Sequence, residues 1–186
     1  ARSLVHVDFA VGPPAITTEP VPDNAKPIVV IDKDKEQNSN VVQVMFKHDA
    51  TPDSLRSTLM YMISREAQAL GEAMLATRYN EAVQKADCPY VAASGNDGNY
   101  IFAKTKDAFT IGIIPKEGQT EAALTAALTE ARRVAEFGFT ASEFDRARKD
   151  ALSMLEKQYT NRDKRTNTQL FNQILGNFLN NDCLPS

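Results

Sequence analysis

The chain has 186 residues, of which 42% are hydrophobic and 24% charged, and its net charge is −3. These values suit one globular domain or one compact unit of a larger protein, and they give no indication of binding to nucleic acid or to an anionic membrane. No apolar run approaches the length of a membrane span. The chain begins without Met and shows no signal peptide, so we expect a mature chain or a fragment of a longer protein.

Three segments are predicted along the chain: a linker over residues 1–26, a single α+β unit over residues 27–181 and a tail over residues 182–186. Five of the nine prolines fall in the first 27 residues, where the fixed φ and missing N–H of proline disfavour regular structure. Two β-branched apolar runs then predict strands at residues 28–31 and 41–46. The polar stretch between them, DKDKEQNSN, predicts an exposed loop.

A helix is predicted after these strands. Thr51 is its expected N-cap, Pro52 its first helical residue, and Asp53 favours the positive end of the helix dipole. Gly71 is a candidate break that would divide it into two helices. The apolar residues of both parts recur at helical spacing and predict a buried stripe: Leu55, Leu59, Met62, Ile63, Met74, Leu75, Tyr79, Ala82 and Val83.

The stretch EAVQKADCPYVAASGNDGNY, residues 81–100, predicts the end of that helix, a strand and a turn. Pro89 stops the helix, residues 91–94 have strand character, and residues 96–99, NDGN, predict the turn. Residues 101–113 then predict a long bent strand or a hairpin with a turn near Asp107. Together these segments predict an antiparallel meander.

Helices are predicted to complete the chain. The first starts after Thr120 and ends near a C-terminal cap at Gly138, the second begins with the capping-box spacing of Thr140 and Glu143, and a third follows a charged hinge at residues 161–167. Apolar residues at helical spacing predict a buried face on each: Leu124, Ala127, Leu128, Ala131, Val134, Phe144, Ala147, Ala151, Leu152, Leu155, Tyr159, Leu170, Ile174, Leu175 and Phe178. The order of elements predicts an α+β two-layer sandwich, with a mainly antiparallel sheet covered by helices on one face.

The sequence carries no catalytic or metal-binding motif. The two histidines, His6 and His48, are isolated, whereas zinc needs three or four converging ligands. A nucleophile elbow, a phosphate-binding loop and the EF-hand spacing are also absent. Cys88 and Cys183 form no CxxC pair and are interpreted as buried thiols. We therefore predict no catalytic residue, no metal site and no cofactor within this chain.

Two motifs resemble the zinc peptidases of the insulinase and pitrilysin type. Those enzymes are built from repeated α+β domains of about this size, and only one repeat carries the inverted zinc motif. In the other repeats, one helix ends in a phrase like L-R-E-x-x-G-L-A-Y-x-V, which EAVQKADCPYVAAS resembles, with Gln84 at the acidic position and Tyr90 at the tyrosine. A later helix begins T-x-x-E-[LF]-x-x-A-[RK], which GFTASEFDRARKDAL, residues 138–152, matches closely.

The first motif also departs from the family pattern. Val83 stands where the family has arginine, Asp87 where it has glycine, and Cys88 with Pro89 where it has leucine and alanine. In relatives, the Arg and Tyr of this phrase can hold the substrate backbone near the scissile bond. Because valine cannot make the bidentate contacts of arginine, only Tyr90 remains as a candidate substrate-binding residue. Its alternative role is a packed residue with a satisfied hydroxyl.

The resemblance implies a non-catalytic, substrate-chamber repeat of a larger zinc-dependent endopeptidase. Zinc is then expected in an upstream catalytic repeat of the same protein, and the expected partners are that repeat and a peptide substrate, with no nucleic acid and no membrane. One alternative is a scaffold or assembly subunit of the same fold without peptidase chemistry. Another is a stand-alone peptide-binding domain. The resemblance fits an exported, periplasmic location in a bacterium, which the two cysteines neither support nor exclude.

Overall fold

The computed structural model describes residues 19–180, which form an α+β fold and confirm the predicted fold class. The elements, in chain order, are strand β1 Val42–Asp49, helix α1 Asp53–Arg56, helix α2 Leu59–Val83, strand β2 Tyr90–Asn99, strand β3 Lys106–Pro115, helix α3 Thr120–Phe137, helix α4 Ala141–Thr160, a 3-10 turn Arg162–Lys164 and helix α5 Asn167–Asn180. None of these helices is both long and apolar enough for a membrane span.

The sheet has three antiparallel strands in the order β1-β3-β2. Side chains alternate between the two faces of a strand, so Ile111 and Ile113 of β3 share a face, where each is 1% exposed. Helices α2 and α3 cover that face, and their Tyr79 and Ala127 are fully buried against it. Helix α4 packs mainly on α2. The predicted two-layer arrangement, with helices on one face of the sheet, is therefore confirmed.

Helix α2 approaches the sheet closely at Gly95 of β2. A Cβ atom at this position would lie 2.7 Å from Leu75 Cδ2 and 3.0 Å from Phe109 Cζ. Both distances are shorter than ordinary carbon–carbon contacts. The missing side chain of Gly95 thus allows Leu75 to reach the core.

One strand prediction and two turn predictions are wrong, and one of these turns is that near Asp107, which lies inside β3. Residues 28–31 belong to no strand, and their side chains are 69–90% exposed. The turn predicted at residues 96–99 is instead the end of β2, and the chain reverses at residues 100–105. Pairing with β3 over the whole of this stretch supplies ladder hydrogen bonds, and this tertiary pairing outweighs the turn preference of NDGN.

The first predicted helix is interrupted at a different place. It consists of the four-residue α1, whose N-cap is Pro52, and the long α2, which begins after Thr58. Thr58 Oγ1 accepts a hydrogen bond from Tyr61 N at 3.2 Å and so caps α2. Gly71 lies inside α2 without a break. A central glycine costs about 1 kcal/mol relative to alanine, which is too little to divide a helix packed along a sheet.

The predicted C-terminal end of α3 and the predicted start of α4 are confirmed. Gly138 follows α3 with φ of 70°, a left-handed conformation that favours glycine. Thr140 and Glu143 form both hydrogen bonds of the capping box at the start of α4.

The predicted buried faces are confirmed only where α2 and α3 meet the sheet. On the first part of α1–α2, on α4 and on α5, the large apolar side chains are 37–83% exposed, because no described element covers them. These are Leu55, Leu59, Met62, Ile63, Phe144, Leu152, Leu155, Tyr159, Leu170, Ile174, Leu175 and Phe178. In the described part of the chain, the prediction that they are core residues is therefore wrong.

The predicted segment boundaries stay predictions. Residues 19–41 contain no helix or strand, although the fold already holds the chain there: Thr105 Oγ1 donates to the carbonyl of Glu19 at 3.0 Å, and the carboxylate of Asp23 lies 2.7 Å from Lys106 Nζ. His6, Cys183 and the predicted tail at residues 182–186 lie outside the described residues.

Candidate functional site

Tyr90, the candidate substrate-binding residue, lies at the start of β2 with 2% of its surface exposed. Its ring meets the ring of Tyr79 edge-to-face, with 6.2 Å between centroids, and its carbonyl accepts a hydrogen bond from the Cys88 thiol at 3.5 Å. Burial raises the pKa of Tyr90 to about 12. In this chain the Tyr90 ring belongs to the hydrophobic core, and its contact with a peptide stays a prediction.

The surroundings of Tyr90 are packed rather than open. Tyr79 donates its hydroxyl hydrogen to the carbonyl of Ala127 at 3.0 Å, which joins α2 to α3. Burial raises the pKa of Tyr79 to about 12. Val83, which occupies the position of the family arginine, lies partly buried against the same core. Val83 therefore adds an apolar side chain to the core around Tyr90.

Arg78, the residue before Tyr79 on α2, forms hydrogen bonds with several parts of the fold. Its guanidinium binds Glu143 in a bidentate manner, with Nε at 2.6 Å from Oε1 and Nη2 at 3.0 Å from Oε2. Nη1 also donates to Glu130 Oε1 at 3.0 Å, and Nη2 donates to the carbonyl of Gly138 at 3.2 Å. The ring of Phe139 lies 5.1 Å from the guanidinium carbon. One side chain of α2 thereby holds α3, α4 and the turn between them.

Glu143 links this cluster to the capping box. Its Oε2 accepts hydrogen bonds from Thr140 N at 2.7 Å and from Thr140 Oγ1 at 2.8 Å, in addition to the bond from Arg78. These bonds, above all the one from Arg78, hold the pKa of Glu143 at about 2. The T-x-x-E spacing revealed the cap from sequence. Arg78 gave no such signal, because it lies 65 residues away from Glu143 in the chain.

A polar groove lies at the other end of α2, beside the ends of β1 and β2. His48 Nε2 lies 2.7 Å from Asp97 Oδ1, and its Nδ1 lies 3.1 Å from the carbonyl of Asp49. The hydrogen bond with Asp97 raises the pKa of His48. Glu72 Oε1 accepts the backbone N–H of Asp97 at 3.0 Å. The polar groups in this groove thus bond to one another.

The Cys88 thiol is not arranged as an activated nucleophile in the described residues. A nucleophile needs a base within hydrogen-bond reach, and the Cys88 thiol, buried beside Tyr90, donates to a backbone carbonyl instead. Within residues 19–180, no three His, Cys, Asp or Glu side chains are grouped so that they could hold a metal ion. The described residues provide a packed core around Tyr90, a charged cluster of Arg78, Glu130 and Glu143 that joins α2, α3 and α4, and large exposed apolar faces.

The chain matches the family model described as peptidase M16 inactive domain over residues 3–150. A search of curated proteins found no match.

Solved structures have the same fold. The periplasmic protease PqqL from Escherichia coli superposes with a TM-score of 0.69 at 16% identity, over 82% of this chain and 16% of that one. The separately solved first half of PqqL gives the same TM-score and identity, over 82% of this chain and 32% of that half. A predicted insulinase family protease from Yersinia pestis gives 0.65 at 13% identity, over 80% and 31% of the two chains. This chain therefore spans only a small part of the proteins that it resembles.

Proposed function

Because the chain belongs to the peptidase M16 inactive-domain family, we propose that it is a non-catalytic repeat of a larger zinc-dependent endopeptidase of the insulinase type. In this proposal the zinc, and the glutamate that activates its bound water, belong to an upstream repeat of the same protein. The present repeat packs against that catalytic repeat and forms part of the wall of the chamber that encloses a peptide. The family match over residues 3–150 is the observation that carries the proposal.

The exposed apolar faces support packing against another repeat. Contiguous exposed apolar surface on a soluble protein marks an interaction site. Helix α5 makes little contact with the rest of the described chain, although a helix of 14 residues is only marginally stable in water without packing. Side chains such as Phe171 and Phe178, 61% and 83% exposed, need a cover that residues 19–180 do not supply.

A peptide in the chamber would be held chiefly by main-chain hydrogen bonds. Strands β1 and β2 are the outer strands of the described sheet, and an extended peptide can add to such an edge. We also retain Tyr90, at the start of β2, as a proposed contact of its hydroxyl with the peptide. One of the matching structures is a periplasmic bacterial protease, so we propose that the full-length protein is exported in a bacterium.

The test compares the full-length protein with this 186-residue chain. We expect the purified full-length protein to contain zinc and to cleave unstructured peptides, with loss of cleavage after chelation and recovery on adding zinc. The chain alone is expected to be inert. Zinc-dependent cleavage by the chain alone would overturn the proposal.

A full-length protein that neither binds zinc nor cleaves peptides would favour the scaffold alternative instead. The upstream sequence gives an early indication, since a catalytic repeat needs H-x-x-E-H and a second glutamate downstream.

For Tyr90, the variant Tyr90→Phe in the full-length enzyme should raise KM for peptides if the hydroxyl contacts them. Unchanged turnover and unchanged KM would leave Tyr90 as a packing residue.

A further inference from the structure

The apolar run at residues 28–31, IVVI, is exposed to an unusual degree. Ile28, Val29, Val30 and Ile31 are 69%, 77%, 83% and 90% exposed. β-Branched residues favour strands, in which such side chains pack against neighbours. A run of four of them in water therefore indicates a strand whose partner lies outside the described residues.

The backbone around this run has no described partner either. We define the arm as residues 24–41. The hydrogen bonds that the structure gives within it are local: Asn24 to the carbonyl of Lys26, and Lys33, Glu36 and Gln37 to the side chain or carbonyl of Asp32 or Asp34. No bond joins residues 28–31 to the described sheet or helices. Backbone donors and acceptors that leave water must be paired, so burial of this run requires a partner with its own free backbone groups.

Both ends of the arm are fixed beside strand β1. Just before the arm, Lys47 of β1 donates to the carbonyl of Pro22 at 2.7 Å, and Asp23 lies 2.7 Å from the buried Lys106. At its other end the arm leads directly into Val42, the first residue of β1. The arm is thus presented from one edge of the repeat, and its base is held by strongly bonded residues.

The apolar pattern of the run distinguishes between partners. A strand that is covered on one face alternates apolar and polar residues, whereas an uninterrupted apolar run is typical of a strand buried on both faces. The sheet of this repeat offers one covered face only, because Gln43, on the other face of β1, is exposed. A short peptide would cover neither face. The run therefore fits the edge of a sheet in a second folded unit better than β1, a second copy or a peptide.

We propose that residues 28–31 become a β-strand by adding to an open sheet edge of the neighbouring repeat in the same polypeptide. This inference rests on the proposed function, because it takes that repeat as the partner. Main-chain hydrogen bonds would then join the two repeats, and the charged residues that follow the run would return the chain to β1 through solvent. The arm would then fix the orientation of the two repeats, which contacts between exposed apolar helices alone would not fix. We call the paired arm the strap.

Amide hydrogen exchange tests this strap in the full-length protein. Because neighbouring N–H groups on a strand point in opposite directions, we expect one alternate pair of amides in this run, Ile28 with Val30 or Val29 with Ile31, to exchange at least about tenfold more slowly there than in the 186-residue chain. The amides of Ile111 and Ile113 in β3 serve as the folding control in both samples. Fast exchange at residues 28–31 in the full-length protein would overturn the proposal.

Protection in the 186-residue chain would also overturn it. If that protection does not depend on concentration, the run pairs with a segment of its own chain. If it increases with concentration, the run pairs with a second copy.

A proline pair sharpens the test. Neighbouring N–H groups on a strand point in opposite directions, so only one of Val29→Pro and Val30→Pro should remove a donor that faces the partner. That variant is expected to lose the protection of the run, while the other retains most of it. Asn38→Pro, in the polar part of the arm, is the control and should change nothing. Retention of protection in both variants, or its loss in both to the same extent, would exclude a one-sided strand pairing.

Peptide cleavage by the same samples keeps the two proposals apart. A full-length protein that fails to cleave peptides but protects residues 28–31 contradicts the peptidase proposal and leaves the strap intact. A protein that cleaves peptides with fast exchange at these residues contradicts the strap alone.

Discussion

The two ends of α2 have apolar residues at the same spacing but opposite surroundings. Near its C-terminus, Leu75 and Tyr79 are 4% and 0% exposed because the sheet and α3 cover them. Near its N-terminus, Leu59 and Ile63 have the same helical spacing but are 72% and 55% exposed. An apolar stripe therefore indicates which face of a helix packs against another element. It does not indicate whether that element belongs to the same repeat.

Core truncation should separate the covered and uncovered regions most strongly. Ile111→Ala removes a side chain that is 1% exposed and leaves a cavity, so we expect a loss of about 2–5 kcal/mol in the free energy of unfolding. Ile63→Ala is the matched control and should cost less than about 0.5 kcal/mol in the 186-residue chain. Urea unfolding measures both. Equal losses would mean that Ile63 is covered in the chain alone.

The close approach at Gly95 gives the next largest effect. In Gly95→Ala the new Cβ would meet Leu75 Cδ2 at 2.7 Å, so Leu75 or α2 must shift. Overpacking of this kind costs about 1–3 kcal/mol. Gly71→Ala is the control, since its Cβ would meet nothing within 4 Å and a helix prefers alanine. We expect it to be neutral or stabilising in the same unfolding experiment. A neutral Gly95→Ala variant would contradict the tight packing of α2 on the sheet.

The charged cluster predicts a dependence of stability on acid. Glu143 has a pKa of about 2 in the folded chain against 4.5 unfolded, so its contribution is complete above pH 4.5 and is lost as the pH falls toward 2. Its side chain is 22% exposed, and we expect about 1–2 kcal/mol rather than the full value of the shift. Glu143→Gln should lower stability at pH 7 and weaken the acid dependence between pH 4.5 and 2. Glu136→Gln, in an exposed pair with Arg132, is the control. An acid dependence as steep in Glu143→Gln as in the unaltered chain would assign it to other carboxylates.

Local signals predicted much of the fold. The capping box of Thr140 and Glu143, the glycine cap at Gly138 and the apolar spacing of α3 are determined within a few residues, and the structure confirms them. The turn at residues 96–99 and the strand at residues 28–31 were wrong because strand formation depends on a partner elsewhere in the chain or beyond it. Arg78 was missed for the same reason, since its partners Glu130 and Glu143 are distant in sequence.

The smallest expected effect concerns His48, which lies beside the exposed N-terminal half of α2. Its hydrogen bond with Asp97 joins β1 to β2 across β3 and raises the pKa of His48 above 6.5. A histidine whose pKa is higher in the folded than in the unfolded chain stabilises the fold at pH values below its unfolded pKa. This contribution is lost as the pH rises through the folded pKa. Because the side chain is 46% exposed, solvent screens the pair, and we expect only a slight loss of stability as the pH rises above 6.5.

An NMR titration of the imidazole measures this pKa directly. His48→Gln identifies the signal, and Asp97→Asn should return the pKa toward 6.5. A pKa that Asp97→Asn leaves unchanged would mean that the pair does not form in solution. In that case the strand ends beside the exposed half of α2 would be held by their pairing with β3 and by the bond from Asp97 N–H to Glu72, without a direct bond between His48 and Asp97.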